Sequence, residues 1–170
     1  MSTVVEQHRA LSPQSLQVAV LTISDTRTVE TDTSGTLIVE LLEAAGHVIA
    51  AREIVPDEAD RIRPLIESYH ANAQVHAVLL TGGTGISPRD QTFETVSSLL
   101  TRPLPGFGEL FRMLSYAEIG SAAIMSRAVG GLMGRLVVLA MPGSKAGVRL
   151  AMTKIVVPEL PHLVQQARKS

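Results

Sequence analysis

From residue 18 onward, short wholly apolar runs alternate with segments whose apolar positions recur every three or four residues. Val18-Ala19-Val20-Leu21-Thr22-Ile23 breaks at Ser24-Asp25. A nearly unbroken apolar run of that length predicts a strand buried on both faces, as in a parallel sheet. The stretch from Thr26 to Ser34 is rich in Thr, Asp and Ser and predicts a loop. Leu37, Ile38, Leu41, Leu42 and Ala45 then follow helical spacing. Thr33 or Ser34 is the expected cap of that helix, and Gly46 its end. His47 to Val55 predicts the next strand, stopped at Pro56. Ile62, Leu65, Ile66 and Tyr69 predict a helix over 58–71, with Pro64 either kinking it or sitting in a late first turn.

Val75 to Leu80 predicts a third buried strand, followed at once by Thr81-Gly82-Gly83-Thr84-Gly85. Phe93, Val96, Leu99 and Leu100 mark a helix after Thr92. The stretch 103–108 reads as a loop before a helix carrying Leu110, Met113 and Leu114. The glycines between Ala128 and Gly134 predict an irregular or hairpin connection. Leu136 to Ala140 is a further buried strand, ended by Met141-Pro142-Gly143-Ser144. Helical segments from about Lys145 and from Pro158 close the chain. Strands alternating with helices predict βαβ units: an α/β fold whose mostly parallel sheet has helices on both faces.

Composition narrows the function classes. The chain has 170 residues, 45% apolar and 18% charged, which suits one compact domain over 17–170 with residues 1–16 as a flexible arm. A formal charge of −1 without a basic run argues against nucleic acid and against a membrane surface. The first 16 residues hold no apolar stretch long enough for a signal peptide, and no segment approaches the ~20 apolar residues of a membrane helix. There is no Cys, which removes disulfides and thiol chemistry and fits a reducing cytoplasm. Aromatic residues are 3% and Trp is absent, so a planar ligand would meet backbone and aliphatic groups rather than stacking platforms.

In open α/β sheets, ligands gather at the carboxyl ends of the strands. The candidate chemistry lies there. Thr81 to Asp90 (TGGTGISPRD) exposes backbone N–H groups at three glycines ahead of a helix, an arrangement suited to phosphate. A plain glycine turn is the alternative. No Gly-Lys-Ser/Thr follows, and Pro88 breaks the dinucleotide pattern. For Asp57, after Pro56, the residues alone favour a helix N-cap, and Asp90 could likewise cap or pair locally. Two carboxylates beside a phosphate loop are also what a Mg-nucleotide site needs. Ser144 could cap a helix or offer an anion site with Gly143. Arg127, after Ser126, could hold a phosphate or brace the loop. The five histidines show no metal-ligand spacing.

Seven blocks in order carry a resemblance: VLTISD (20–25), DTSG (32–35), IVPDE (54–58), the 81–90 loop, GFGELFR (106–112), IMSRA (124–128) and MPGS (141–144). By these the chain resembles the MoaB/Mog family, the DTSG and GFGELFR blocks being nearer the MoaB branch. It departs at Phe93, where many members have Pro, and at Pro161, where many have Gly.

The resemblance implies a three-layer α/β/α, doubly wound fold and assembly into homotrimers or homohexamers. It also implies adenylylation of molybdopterin with Mg²⁺ and ATP, releasing pyrophosphate, with a later molybdenum-insertion enzyme as a candidate partner. It places Asp57 and Asp90 as catalytic and metal-binding carboxylates. Gly82, Gly83, Thr84 and Gly85, with Thr81, fall around ligand phosphate, and Ser24, Ser126, Gly143 and Ser144 nearby. A molybdopterin carrier that does not adenylylate is the alternative within the same pathway.

Overall fold

The computed structural model describes residue 13 and residues 15–169; the expected arm over 1–16 falls almost wholly outside them. Six strands form one sheet in the order β2-β1-β3-β6-β5-β4. They are β1 (Gln17–Ile23), β2 (Val48–Val55), β3 (Ala77–Thr81), β4 (Arg102–Pro103), β5 (Val129–Met133) and β6 (Leu136–Met141). β1, β2, β3 and β6 are mutually parallel, and β5 runs antiparallel to both its neighbours. The glycine-rich segment after Ala128 is therefore a strand, and it makes a hairpin with β6 through Gly134 at φ 58°.

The helices are α1 (Thr33–Ala44), α2 (Ala59–Ala71), α3 (Thr92–Leu99), α4 (Pro105–Ile119), α5 (Lys145–Ala151) and α6 (Val157–Arg168). β1 shows why they occupy two layers. Val18 and Val20 join a core with Leu37, Ile38 and Leu42 of α1, Phe107 and Phe111 of α4, and Leu160 and Val164 of α6. Ala19, Leu21 and Ile23 alternate to the other face, against Ile62 and Ile66 of α2 and Val96 and Leu99 of α3. The unbroken apolar strand is thus the signature of two covered faces.

Four local expectations are corrected. Asp32, not Thr33 or Ser34, caps α1, its Oδ1 accepting from Gly35 N–H at 2.8 Å. That carboxylate is 2% exposed and also takes Thr22 Oγ1–H at 2.8 Å and Arg52 Nη2–H at 3.0 Å. The expected 103–108 loop holds β4 and the first turn of α4, because Pro105 sits where a helix needs no N–H. Asp57 does not cap α2: its N-cap is Glu58, without a side-chain bond, and α2 runs through Pro64. The last two helices form one run joined by a π turn over Met152–Val156, just ahead of Pro158, whose missing N–H cannot serve an ordinary helical ladder. Gly46, at φ 86°, does end α1.

A Cβ at Gly106, in the first turn of α4, would meet nothing within 4 Å. Gly106→Ala should therefore raise stability by about 0.5 kcal/mol, read from a urea midpoint, because it removes only unfolded-state freedom. His47 is 6% exposed, neither ring nitrogen has a hydrogen-bond partner among the described residues, and burial lowers its pKa. A depressed folded pKa gives stability that is present above the unfolded value of about 6.5 and lost as pH falls below it. His47→Leu should flatten the part of a thermal-stability profile just below about pH 6.5; His76, also lowered by burial, contributes to the same part.

Candidate active site

The sheet reverses its winding between β1 and β3, since α1 carries the chain outward to β2 and α2 returns it across β1. Ligands bind at such switch points, outside the carboxyl ends of the strands. Here those ends are tied together. Gly82 N–H donates to Met141 O at 3.0 Å, and Thr81 Oγ1 donates to Pro142 O at 3.0 Å. Ser34 Oγ reaches Gly143 O at 2.8 Å. A Cβ on Gly82, at φ 104°, would lie 2.2 Å from the Ile23 carbonyl oxygen, so only glycine lets β3 leave the sheet this close to β1.

The loop beyond Gly82 is built around two carboxylates. Asp57 is 5% exposed; its Oδ1 accepts from Gln91 N–H at 3.2 Å and from Thr92 Oγ1 at 3.3 Å, so it steadies the start of α3. Its Oδ2 lies where a Cβ on Gly83 would be 2.4 Å away, and no described residue donates to it. Burial pushes the Asp57 carboxyl above the usual range, and the Asp90 charge adds to this. The Gln91 N–H, the Thr92 hydroxyl and Arg89 act in the opposite direction. Asp90 caps its own loop, Oδ2 accepting from Ser87 N–H at 2.9 Å, which leaves Oδ1 without a partner among the described residues. Gly85 is pressed against it, a Cβ there falling 2.7 Å from Oδ2.

The arginines are scaffolding. Arg127 Nε donates to Gly85 O at 2.7 Å, its Nη2 to Asp90 O at 3.3 Å, and its Nη1 pairs with Glu94. Its backbone N–H donates to Thr84 O at 3.1 Å. Of the two roles open to Arg127, bracing the loop is the one observed. Arg89 grips Asp25 through two bonds of 2.8 and 2.7 Å, which lowers the Asp25 pKa, and Asp25 Oδ1 accepts from Asp57 N–H at 3.2 Å.

Gly82 to Gly85, Asp90, Ser126, Gly143 and Ser144 line a cavity of about 380 Å³. Ser144 also caps α5, accepting from Gly147 N–H at 3.1 Å. Ser24 and Thr81 line a smaller recess of about 100 Å³ with Arg27, Ser34 and Gly143, and Gly143 borders both spaces. Sequence reasoning missed the outer wall of the cavity: Phe111, Ser115, Glu118 and Ile119 on α4, with Ala122 and Met125 beyond it. Helical spacing puts Ser115 on the face of Phe111, but only the fold shows that this face is buried against the cavity. Among the described residues no group of three His, Cys, Asp or Glu could hold a metal, so any metal would need ligands from a substrate as well as Asp57 and Asp90. Nor is any described helix long and apolar enough to cross a membrane.

Residues 19–162 match the family model described as a probable molybdopterin binding domain. The chain belongs to the MoaB/Mog family. It is 51% identical over 166 residues to Molybdenum cofactor biosynthesis protein B of Bacillus subtilis (strain 168), covering 97% of this chain and 98% of that protein. With the Staphylococcus carnosus (strain TM300) protein of that name it shares 45% over 159 residues, 92% of this chain and 93% of the relative. A crystal structure of Molybdenum cofactor biosynthesis protein B superposes with a TM-score of 0.90 at 49% identity, covering 94% and 99% of the two chains. The Mog protein from Mycobacterium ulcerans matches at 27% identity and a TM-score of 0.81, covering 89% and 99%. These values place the chain nearer the MoaB side of the MoaB/Mog family, as its DTSG and GFGELFR blocks predict.

Proposed function

We propose that the chain acts in molybdenum cofactor biosynthesis by transferring AMP from ATP to the terminal phosphate of molybdopterin. One observation carries this. Asp90 lines a largely apolar cavity, Asp57 lies behind Gly83 on the same glycine loop, and each keeps one carboxylate oxygen that no described residue occupies. Two such oxygens suit Mg²⁺, which usually takes one or two carboxylates and completes its shell with substrate phosphates and water. Asp57 Oδ2 and Asp90 Oδ1 would hold the ion, which supplies charge neutralisation between two anionic substrates.

The remaining work falls to the chain itself. A phosphate monoester is already anionic at neutral pH, so its oxygen attacks without a general base. The new bond forms to the α-phosphorus of ATP, and the bond to the pyrophosphate oxygen breaks with its electron pair leaving on pyrophosphate. Backbone N–H groups of Gly83 to Gly85 and of the Gly143–Ser144 turn orient the phosphates for in-line approach, the Gly82 N–H being committed to Met141 O. Arg127 holds that cradle rigid by occupying its carbonyls.

Assembly into a homotrimer or homohexamer, and hand-over to a later molybdenum-insertion enzyme, belong to the same reading. Met113 and Tyr116, exposed on α4, are apolar surface that an assembly of copies would cover. The deciding experiment is anaerobic incubation with molybdopterin, MgCl₂ and ATP labelled at the α-phosphate. Label on the pterin supports the transferase. Tight pterin binding without transfer makes the chain a carrier and overturns it.

A further inference from the structure

Building on the proposed pterin substrate, we infer that Glu118, with Ser115 one turn before it, recognises the 2-amino-4-oxo edge of the pterin ring. The cavity has two unlike ends. Phe111, Ser115, Glu118 and Ile119 line it from one face of α4, at positions i, i+4, i+7 and i+8, and Ala122 joins them from the 3-10 turn that follows Gly120. The Phe111 end is the phosphate end. A Cβ on Gly147 would lie 3.7 Å from Phe111 Cζ and 2.9 Å from Ser144 Oγ, and one on Gly143 would lie 3.2 Å from Gly82 Cα. Phe111 is thereby tied to the two turns that hold the anion. Glu118 lies seven residues further along the helix, about 10 Å at 1.5 Å per residue. A ligand whose phosphate rests on the glycine loop therefore extends its ring along α4 towards Glu118.

The wall on the way is apolar, formed by Phe111, Ile119, Ala122, Ala123, Met125 and Leu150. Ser115 and Glu118 interrupt it. Ser115 is 5% exposed, yet its hydroxyl makes no hydrogen bond within the described chain; Glu118 is an exposed lining residue whose carboxylate has no hydrogen bond or ion pair among the described residues. Polar groups set in an apolar wall without internal partners are what fixes a ligand's orientation.

A carboxylate accepts only, so it selects an edge with adjacent donors. The pterin N2 amino group and N3–H form such a pair. Adenine does not, because its amino group stands beside the acceptor N1. Glu118 is thus assigned to the pterin rather than to the nucleotide, and Ser115 can serve the neighbouring carbonyl or amino group.

The test uses fluorescence titration of the purified full chain with the phosphate monoester of 6-hydroxymethylpterin and with its 2-oxo (lumazine) counterpart. Wild type should prefer the pterin by about tenfold or more, since a site built to accept a donor pair rejects the analogue that lacks one. Glu118→Gln should weaken the pterin by a similar factor while gaining for the lumazine, whose 2-carbonyl accepts from the new amide. ATP affinity and melting temperature should be unchanged.

A pterin preference that survives Glu118→Gln overturns the assignment and leaves the proposed function standing. Equal binding of both ligands by wild type also overturns it, as does a loss of ATP affinity in the variant, which would put the nucleotide against Glu118. Wild type that binds neither pteridine removes the proposed function along with it.

Discussion

Asp57→Asn is expected to lower AMP transfer to molybdopterin by about a thousandfold while pterin affinity stays within a few-fold of wild type. Asparagine keeps the Oδ1 that receives the Gln91 N–H and Thr92 hydroxyl, so the start of α3 keeps its cap. What it loses is the Oδ2 charge beside Gly83, needed only when two anionic substrates meet. Single-turnover transfer and pterin titration, run side by side, separate the two effects. Parallel losses in both would show that Asp57 shapes the pterin site instead of serving the reaction.

Stability checks the same residue independently. Burial holds the Asp57 pKa above its ordinary value. A raised folded pKa gives stability that is present below the unfolded value, about 3.9, and lost as pH rises through the folded one. At neutral pH the ionised carboxylate is therefore a burden on the fold. Asp57→Asn should melt at or above the wild-type temperature at pH 7, with the difference vanishing towards pH 3. A buried carboxylate held beside the glycine loop at the expense of stability is consistent with a functional role.

The layers of the fold were legible because burial on two faces writes itself as unbroken apolar strands, as in Val18–Ile23 and Leu136–Met141. Local punctuation was less so. Pro56 ahead of Asp57 looks like a helix entry, and the residues alone favoured a cap for α2. The carboxylate instead reaches 34 residues onward to Gln91, a contact made by the sheet's winding and not by any local spacing. The same limit hid Ser115 and Glu118. Helical periodicity places them on a face, but which face borders the cavity depends on where the Ser144 turn lands. The DTSG block shows the converse: its Asp32 is committed to Gly35, Thr22 and Arg52, so this stretch is recognisable for a structural reason.

The glycine loop allows fold and chemistry to be separated by two adjacent substitutions. Gly82→Ala puts a methyl group 2.2 Å from the Ile23 carbonyl oxygen, at φ 104°. That oxygen belongs to a central strand held by β2 and β3 on its two sides, so it cannot retreat without opening the sheet. Strain at a glycine-only φ adds to the clash, and the expected loss is about 3 kcal/mol or more, read from urea unfolding. Gly83→Ala, at φ 65°, meets side chains instead: Thr92 Oγ1 at 2.2 Å and Asp57 Oδ2 at 2.4 Å. These can rotate away, and the folding loss should be nearer the 1–2 kcal/mol of left-handed strain alone. Rotation, however, swings Asp57 out of its position, so transfer should fall nearly as far as in Asp57→Asn. If Gly83→Ala keeps its activity, Asp57 does not act from the position described, and the two-carboxylate reading of the site fails with it. If Gly82→Ala folds as stably as wild type, β3 does not leave the sheet against Ile23, and the tight junction of the strand ends is wrong.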